Sequence, residues 1–436
     1  MKFLAILKDS LREAIDCKVL YVMVGLSCLV TLVVASLSFK PLPAELNMRK
    51  LISGETPAIL AIMSGEPVEN LMKNGKLRID SPFQFEDVRL LKGAPDAPES
   101  TYAVFISMQT TKEEAKKIRN EPRITLEQLK NQFAFLEQLN LLHFHDLALL
   151  PGKDHDPLIR IEMHTEPTEA TRRVWLFEPS LFFGGVPLSG VDVPLGIFLA
   201  QVSRLVLFVG AWVTILTSII ITAFFIPNML HKGTVDLMVV KPMQRWTILL
   251  YNYLGGLTFI FLNTAFAIFC IWLALGLRSG VWANSFLLMI FIITFFFAIL
   301  YSVSTLFAVF TKSAIVAILM TCGAWFVFFI VGLLNQVFEN RQYAEKALQV
   351  PAEKRWGDNA FARVIKVVRT ITPRTKDLDY LGNKILLSDF LTGTTSQAKA
   401  LDKSTTISWG ESLTVSGIFV ALMLGLACWW FATKDF

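Results

Sequence analysis

Cysteine is scarce in this sequence, and none occurs in its two long polar segments. The 436 residues contain five cysteines, all of them in or beside apolar blocks. They are Cys17, Cys28, Cys270, Cys322 and Cys428. Because no pair has zinc-site spacing and none lies in a polar segment, neither a structural zinc site nor a disulfide framework is indicated.

The motifs of several enzyme classes are also missing. A phosphate-binding loop needs Gly-x-x-x-x-Gly-Lys followed by Ser or Thr. In this chain Gly75–Lys76 precedes Leu77, and Gly152–Lys153 precedes Asp154. No His-Glu-x-x-His or Gly-x-Ser-x-Gly sequence occurs either, so protease and lipase activities lack support. We therefore expect no catalytic residues in this chain and no enzyme activity of its own.

Charge is nearly absent from six long apolar blocks, which contribute to a hydrophobic fraction of 53%. A helix of about 20 apolar residues crosses the hydrocarbon core of a bilayer. The predicted spans are residues 19–39, 195–226, 247–276, 285–310, 314–337 and 413–432. We predict an α-helical integral membrane protein with six transmembrane helices. The net charge of +5 is typical of charges that flank membrane helices rather than of a nucleic-acid surface.

The first polar segment, residues 40–194, is long enough for one domain. Tyr102–Met108 and Ile159–Met163 alternate apolar and polar residues as half-buried strands do, and Arg172–Glu178 is a candidate third strand. A capping-box pattern at Thr125–Gln128 predicts the start of a helix. We therefore expect a mixed α+β extracytoplasmic domain between the first and second transmembrane helices.

Two further segments have amphipathic character. Residues 1–18 combine an apolar stripe with charges and run into the first span, which predicts a cytoplasmic helix in the membrane interface. The second polar segment, residues 338–412, contains the basic amphipathic stretch Phe361–Arg369. That stretch either rests on the outer leaflet or packs under the external domain.

The distribution of positive charge predicts the orientation. With six spans, both termini lie on one side, and positive residues in short loops mark the cytoplasm. The short segments on the side of the termini carry Lys2, Lys8, Arg12, Lys18, Lys232, Lys241, Arg245, Lys312 and Lys434. The short loop on the other side, 277–284, carries only Arg278. We expect a multi-pass protein of the cell membrane with both termini in the cytoplasm.

The connector between the second and third spans, residues 227–246, is the most informative stretch. Pro227 ends a span, and Gly233 permits a turn. Thr234 can cap a short apolar helix that Pro242 ends. A short rigid element between two spans can transmit force from a cytoplasmic protein to both transmembrane helices.

The sequence from Phe224 to Gly256 reads FFIPNMLHKGTVDLMVVKPMQRWTILLYNYLGG. It resembles the region after the second span of ABC-2 (export-type) ABC transporter permeases, where that family places a coupling helix that contacts a separate ATPase. The resemblance implies that the ATPase-coupling segment includes Lys232, Gly233, Thr234, Asp236, Leu237, Lys241, Pro242 and Arg245. The chain departs from the family pattern in two places: His231–Lys232 stand where an acidic residue is common before the glycine, and Asn252 stands where a lysine is common.

The resemblance implies a permease that works with other components. It implies that a separate ABC ATPase binds ATP and Mg, whereas this chain binds no cofactor. A second permease copy, in a homo- or heterodimer, and membrane lipids are the other expected partners; nucleic acid is not. The insertion 40–194 lies outside the resemblance, and permeases linked to multicopper-enzyme maturation are a sub-family with such insertions.

A few polar residues lie within the predicted spans. Asn263, Ser302 and Thr305 are candidates for a translocation path, although such side chains equally often bond between helices. Four histidines stand near acidic residues, as copper or zinc ligands do: His143, His145, His155 and His164. Their spacing fits no ligand motif, so we favour a polar loop beside a strand and no metal.

Three functions fit these features to different degrees. The first is an ATP-driven permease that couples ATP hydrolysis by another chain to export or to mechanical work across the membrane. The alternative is a membrane-anchored sensor or assembly factor whose external domain binds a partner. A secondary carrier is the third, and the scarcity of charge within the spans argues against it.

Overall fold

The computed structural model describes most of the chain. The described residues are 19–52, 83–120, 126–127, 130, 142–151, 157–188, 193–229, 244–347, 360–391 and 408–433. The helix predicted over 1–18 lies outside them, as do Thr125, Gln128 and most of the helix predicted to follow.

Helices dominate the described residues. The α-helices are α1 (Val19–Ala35), α2 (Ala44–Ile52), α3 (Lys112–Asn120), α4 (Glu169–Val174), α5 (Leu195–Met229), α6 (Arg245–Ser279), α7 (Met289–Thr311), α8 (Ala314–Ala347), α9 (Ala360–Ile371), α10 (Thr375–Leu391) and α11 (Trp409–Thr433). The strands are β1 (Ser38–Pro41), β2 (Phe83–Lys92), β3 (Thr101–Gln109), β4 (Leu142–Leu149), β5 (Leu158–Pro167), β6 (Leu176–Leu181), β7 (Val186–Pro187) and β8 (Val193–Pro194).

Five apolar stretches within these helices are long enough to cross a membrane. They are Leu195–Thr217, Trp246–Ser279, Asn284–Thr311, Ala314–Phe338 and Trp409–Thr433. A shorter apolar stretch, Tyr21–Ala35, lies in α1. The predicted multi-pass helical membrane protein is therefore confirmed, with five long apolar helices and one shorter one where the sequence predicts six spans.

The first apolar helix is shorter than predicted. α1 ends at Ala35 rather than at residue 39, and Ser36 Oγ donates a hydrogen bond back to a carbonyl of the last turn. Ser38–Pro41 form β1 instead, and Phe39 packs edge to face on Phe198 of α5, with ring centroids 5.9 Å apart. The last predicted residues of the span therefore belong to the sheet region.

Three long helices extend beyond their predicted limits. α5 continues to Met229 rather than 226, α6 covers Arg245–Ser279 rather than 247–276, and α8 continues to Ala347 rather than 337. A helix of 35 residues, such as α5, is about 52 Å long, which exceeds the roughly 30 Å hydrocarbon core. Part of each of these helices therefore lies outside the hydrocarbon core, in the interface or beyond it.

The region between α1 and α5 contains two antiparallel sheets. In the smaller sheet, β6 pairs with β1, β7 and β8. In the larger sheet the strand order is β2-β3-β5-β4. The strands predicted at Tyr102–Met108 and Ile159–Met163 are confirmed as parts of β3 and β5. This region is a mixed α and β domain.

The predicted third strand, Arg172–Glu178, is wrong over its first half. Glu169–Val174 form α4, and β6 begins only at Leu176. The backbone N–H of Thr168 donates to Thr171 Oγ1 at 2.8 Å and so caps α4. Because Thr171 stands where a capping box usually has Glu or Gln, the sequence gives little sign of this helix start.

Successive long helices run in opposite directions, which gives the bundle two distinct ends. We call the end that carries the sheets the domain end and the opposite end the far end. α5 begins at the domain end, where Leu195 N donates to Trp175 O at 3.1 Å. α6 returns to it, and Arg278 Nε donates to Leu37 O at 2.8 Å.

The remaining long helices continue this alternation. α7 runs from the domain end to the far end, α8 returns, and α9 and α10 follow at the domain end. α11 then runs back to the far end, where Trp430 stacks on Phe310 with ring centroids 4.3 Å apart. The first and last described residues of the chain, Val19 and Thr433, therefore both lie at the far end.

α7 is the central helix of the bundle. It contacts α5, α6, α8 and α11, and Tyr301, Ser302 and Thr305 are completely buried. α10 lies across the domain end of the bundle, where it contacts α5, α8 and α11. These two helices position the features considered next.

Candidate functional site

The predicted ATPase-coupling segment lies largely outside the described residues, which resume at Gln244. The structure therefore does not place the first seven of its residues: Lys232, Gly233, Thr234, Asp236, Leu237, Lys241 and Pro242. It does place both flanks of the segment, because α5 ends at Met229 and α6 begins at Arg245. Both flanks lie at the far end, opposite the sheets.

Two tryptophans lie at the far end, Trp246 at the start of α6 and Trp429 near the end of α11. Trp246 Nε1 donates to Gln244 Oε1 at 2.5 Å, and Cys428 Sγ of α11 lies 3.9 Å from the Trp246 carbonyl oxygen. Trp429 is 61% exposed. Tryptophan is enriched where membrane helices meet the headgroup layer. Trp246 and Trp429 therefore indicate that the far end lies at a membrane interface.

The three candidate path residues are all buried in the bundle. Ser302 Oγ donates to Ile299 O at 2.7 Å, which ties it to its own helix. Neither Asn263 nor Thr305 has a hydrogen-bond partner for its side chain within the described part of the chain. Ser304 and Thr264 share this property. Buried hydroxyl and amide groups without partners are costly in a membrane protein.

The structure does not bring Asn263 near Thr305. Tyr253 stacks on Tyr301, and Phe261 of α6 meets Phe291 of α7. This antiparallel register puts Asn263 level with the first residues of α7. Thr305 lies about 15 residues further on, which is roughly 22 Å along the helix axis. Ser302 and Thr305 are neighbours on α7, whereas Asn263 belongs to another level of the bundle.

Two arginines fasten the sheet region to the bundle. Arg172 Nε of α4 donates to Ser279 O at 2.6 Å, and the same guanidinium pairs with Glu99. Burial lowers the pKa of Arg172 below its ordinary value. Arg278 donates to Leu37 O and lies over the Phe183 ring, 5.3 Å from its centroid.

The end of α10 also packs at the junction between the sheet region and the helix bundle. Asp389 Oδ2 accepts a hydrogen bond from Ser285 N at 2.7 Å. Burial lowers the pKa of Arg173, and the charges of Asp389 and Glu169 oppose that shift. A Cβ on Gly196 would lie 2.4 Å from Phe390 O, so glycine is needed where α5 meets α10.

A cleft of about 410 Å³ lies in the domain half of the bundle, between α5, α7 and α8, with α10 as its roof. Its polar lining residues are Gln201, Arg204, Thr375, Lys376, Asp379 and Asn383. Its deeper walls are aromatic: Phe208, Trp212, Phe296, Trp325 and Phe329. A volume of this size, apolar with a few polar groups, is typical of small-molecule sites.

The aromatic walls form one connected cluster. Trp212 of α5 meets Phe296 of α7 and Trp325 of α8, with ring centroids 5.8 and 4.6 Å apart. Trp325 in turn meets Phe329 at 5.8 Å. Offset and edge-to-face ring contacts of this kind hold three helices together around the cleft.

The charged rim has one cation in excess. Lys376 Nζ pairs with Asp379 Oδ2 at 3.0 Å and lies 5.5 Å from the centroid of the Phe329 ring. Arg204 is exposed, and no acidic side chain of the described residues pairs with it. The rim therefore carries one guanidinium that is not neutralised by a described neighbour.

The sequence of α5 contains a signal for this cleft. Arg204 is the only charged residue in α5. Phe208, Trp212 and Ile215 follow it at intervals of four, four and three residues, which places them on one helix face. A lone arginine heading an aromatic stripe indicates a polar-to-apolar site rather than an ordinary lipid-facing surface.

The histidines lie on strands rather than in a loop. His143 and His145 belong to β4 and His164 to β5, so the predicted polar loop is wrong for the first two; His155 lies outside the described residues. A register shift after Phe144 disrupts the alternation of β4. His145 Nε2 lies 2.6 Å from Glu166 and His164 Nε2 lies 3.1 Å from Glu162.

The described residues hold no group of three or more His, Cys, Asp or Glu side chains arranged for a metal ion. The basic stretch at 361–369 lies in α9. Its buried side, Ala362 and Ile365, packs with Phe338 of α8. Phe361, Val364 and Val367 are exposed, so one face packs on the bundle and another stays open.

Comparison with known protein families decides the class of this chain. The family described as "ABC-2 family transporter protein" matches residues 103–436. The chain belongs to the ABC-2 transporter family. It is a membrane-spanning permease component, as its apolar helices require. No curated protein and no solved structure gave a match.

The family match covers more of the chain than the sequence resemblance did. It begins within β3 and includes β4, β5 and β6. The sequence resemblance did not include the insertion 40–194, whereas the family match includes its residues 103–194. Most of the sheet region is part of the ABC-2 permease.

Proposed function

We propose that this chain is the permease subunit of an ATP-driven ABC-2 transporter, to which a separate ABC ATPase docks through residues 230–243. ATP and Mg bind to that ATPase. Its hydrolysis cycle drives export, or mechanical work, through the helix bundle of this chain. A second permease copy, in a homo- or heterodimer, is part of the proposed assembly, and membrane lipids surround it.

The observation that carries this proposal is that, in this member of the ABC-2 family, both helix ends that flank the connector lie at the same end of the bundle. The ends of α5 and α6 that flank residues 230–243 lie at the far end, away from the sheets. Force applied to this connector acts directly on two long helices. Through α5 and α6 it reaches the central helix α7, which both contact.

The same topology supports six spans and a cytoplasmic far end. Both described ends of the chain lie at the far end, which requires an even number of crossings. α1 supplies the sixth: its 17 residues extend about 26 Å, close to the roughly 30 Å core. Lys312 lies at the far end, and the connector whose two flanks lie there contains Lys232 and Lys241, as a cytoplasmic loop does. The sheets are then extracytoplasmic, and the protein lies in the cell membrane.

Co-purification tests the docking step. The tagged chain is purified from its native host, and the ABC ATPase recovered with it is identified and measured by mass spectrometry. We expect wild type to retain the ATPase and Asp236→Lys to lose at least about tenfold of it, because charge reversal in a docking surface opposes association. Gly233→Val tests the turn in the same way.

Lys312→Gln is the matched control, since it changes one charge in another far-end loop. It is expected to retain the ATPase at the wild-type level. If neither connector variant reduces recovery while Lys312→Gln does, the ATPase docks elsewhere. If no ATPase associates with the wild-type chain, the permease proposal is overturned and the sensor or assembly-factor alternative gains.

A further inference from the structure

The cleft beneath α10 has the composition of a binding site rather than of a packing defect. Polar and charged groups line its mouth, and aromatic rings line its interior. Leu205 and Phe208 on the α5 wall are 62% and 60% exposed. The cleft is therefore open along α5 to whatever surrounds the bundle, which for a membrane helix is lipid.

The depth of the cleft matches one leaflet of a bilayer. From Arg204 to Ile215 the α5 wall extends about 16 Å. Half of the hydrocarbon core is about 15 Å. Because α5 begins at the domain end, Arg204 lies closer to the membrane surface at that end than Ile215 does. A single hydrocarbon chain lying along α5 would contact Phe208 and Trp212 over this length.

The positive charge at the mouth of the cleft favours a ligand with an anionic head group. The Lys376 ammonium has a carboxylate partner 3.0 Å away. The Arg204 guanidinium has none among the described residues, and it stands on the same helix face as the aromatic wall. Guanidinium groups bind phosphate and carboxylate oxygens in a bidentate manner. The amide side chains of Gln201 and Asn383 also line the mouth and can donate to the same oxygens.

We propose that this cleft binds a single-chain anionic amphiphile, with its phosphate or carboxylate head at Arg204 and its tail between Phe208, Trp212 and Trp325. The site concerns binding to this chain alone, so it does not depend on the ATPase. Lys376 and Asp379 form the opposite side of the head site, and their pairing leaves the excess charge on Arg204. The aromatic cluster keeps the tail space open by bracing three helices.

Photo-labelling of the purified full-length chain in nanodiscs of zwitterionic lipid tests this site. The probe is lysophosphatidic acid with a diazirine in its acyl chain, and labelled peptides are identified by mass spectrometry. We expect labels on residues 204–215 of α5 and on the facing parts of α7 and α8. Arg204→Gln should reduce this labelling about tenfold, since it removes charge-assisted hydrogen bonds. Phe208→Ala should reduce it about threefold.

Matched variants and probes separate the two parts of the ligand. Arg363→Gln removes an exposed charge at the domain end outside the cleft, and Phe291→Ala removes an exposed ring on another face of α7; both should label as wild type. A monoacylglycerol with the same photoreactive chain, which has no phosphate or carboxylate, should label the cleft weakly and equally in wild type and Arg204→Gln. Inorganic phosphate at millimolar concentration should not compete.

Several results would overturn the proposal. Labelling outside the cleft, or equal labelling of wild type and Arg204→Gln by the anionic probe, removes its basis. Full competition by inorganic phosphate would show a site for free anions. Cleft peptides protected by cross-links between two copies of the chain would show that a second copy covers this face instead. A thermal melt of each variant confirms that the comparison is made on folded protein.

Discussion

Tyr253 of α6 stacks on Tyr301 of α7, with ring centroids 4.9 Å apart and ring planes inclined by only 11°. Tyr253 Oη also donates to Ala298 O at 2.8 Å. One turn further along α6, Gly256 leaves the room that the Tyr301 ring occupies, because a Cβ there would lie 2.8 Å from Tyr301 Oη. Small residues allow such close approaches between membrane helices. The helix that follows the connector is thus locked onto the central helix of the bundle.

Gly256→Ala is expected to destabilise the protein by about 1–3 kcal/mol, because the new methyl group overlaps a buried ring that is itself stacked. Thermal unfolding of the purified protein in detergent measures the change. Gly323→Ala is the control, since nothing lies within 4 Å of a Cβ at Gly323 and alanine favours the helix. A Gly256→Ala protein as stable as the control would show that the Tyr301 ring moves aside at no cost.

Gly280 and Arg172 are expected to be energetically coupled across the junction between domain and bundle. Gly280 ends α6 with φ of +71°, and a Cβ there would lie 2.8 Å from the Arg172 guanidinium. Gly280→Ala therefore combines backbone strain with a side-chain overlap, at a cost of about 1–3 kcal/mol. In the background of Arg172→Ala the overlap disappears and only the strain remains. The double mutant should thus be more stable than the sum of the single changes predicts.

Thermal unfolding of the four proteins in this cycle gives the coupling free energy. Arg363→Ala, which removes an exposed arginine of α9, replaces Arg172→Ala in the control cycle and should give additive changes. Additivity with Arg172→Ala would mean that the guanidinium does not lie against Gly280 in the native protein.

The long helices of this bundle could be predicted from the sequence because their signal is local. A run of about 20 apolar residues needs no partner to be recognised as a span. The strands β3 and β5 could be predicted for a similar reason, since the alternation of apolar and polar residues is a property of neighbouring residues. The end of α1 could not be predicted in this way, because Leu37 and Phe39 continue the apolar run. Residues 38–41 form a strand only because they pair with β6 and because Phe39 packs on Phe198.

The cleft and the junction depend on contacts between residues far apart in the sequence. Arg278 was recognised only as the charge of a short loop, whereas its partner is Leu37, 241 residues away. Arg204 stands out in the sequence as the lone charge of α5, but its cleft also requires α10, which follows it by about 170 residues. α4 was mistaken for a strand because Thr171, an unusual capping residue, supplies its N-terminal hydrogen bond. Tertiary partners of this kind cannot be read from periodicity.

Asp377 is expected to be the structural centre of the turn between α9 and α10. Its carboxylate lies 2.7 Å from Arg369 and 3.9 Å from Arg374, and all three side chains are mostly buried. Asp377→Asn should cost about 3 kcal/mol, because it removes a close carboxylate partner of the buried Arg369; Arg374 keeps its shorter pair with Glu411, at 2.5 Å.

Asp379→Asn is the matched control for Asp377→Asn, since Asp379 lies two residues further along the same helix and its pair with Lys376 is half exposed. Its expected cost is below about 1 kcal/mol. Thermal unfolding at low and high salt compares the two: only the exposed pair should weaken with salt. Equal losses in both variants would contradict the structural role given to Asp377.

The hydroxyl of Thr305 distinguishes a packing residue from one that lines a path. Thr305 is completely buried on the central helix, and its hydroxyl has no partner within the described residues. If α7 only packs, Thr305→Val keeps the shape and removes an unsatisfied group, so stability should be unchanged or higher by up to about 1 kcal/mol. Tyr253→Phe removes a hydroxyl that has a partner in the same helix pair, and it should lower stability by about 0.6–1.7 kcal/mol. A Thr305→Val protein that melts as early as Tyr253→Phe would show that the hydroxyl is satisfied in the membrane, by water or by a bound molecule, and would place Thr305 on a polar path.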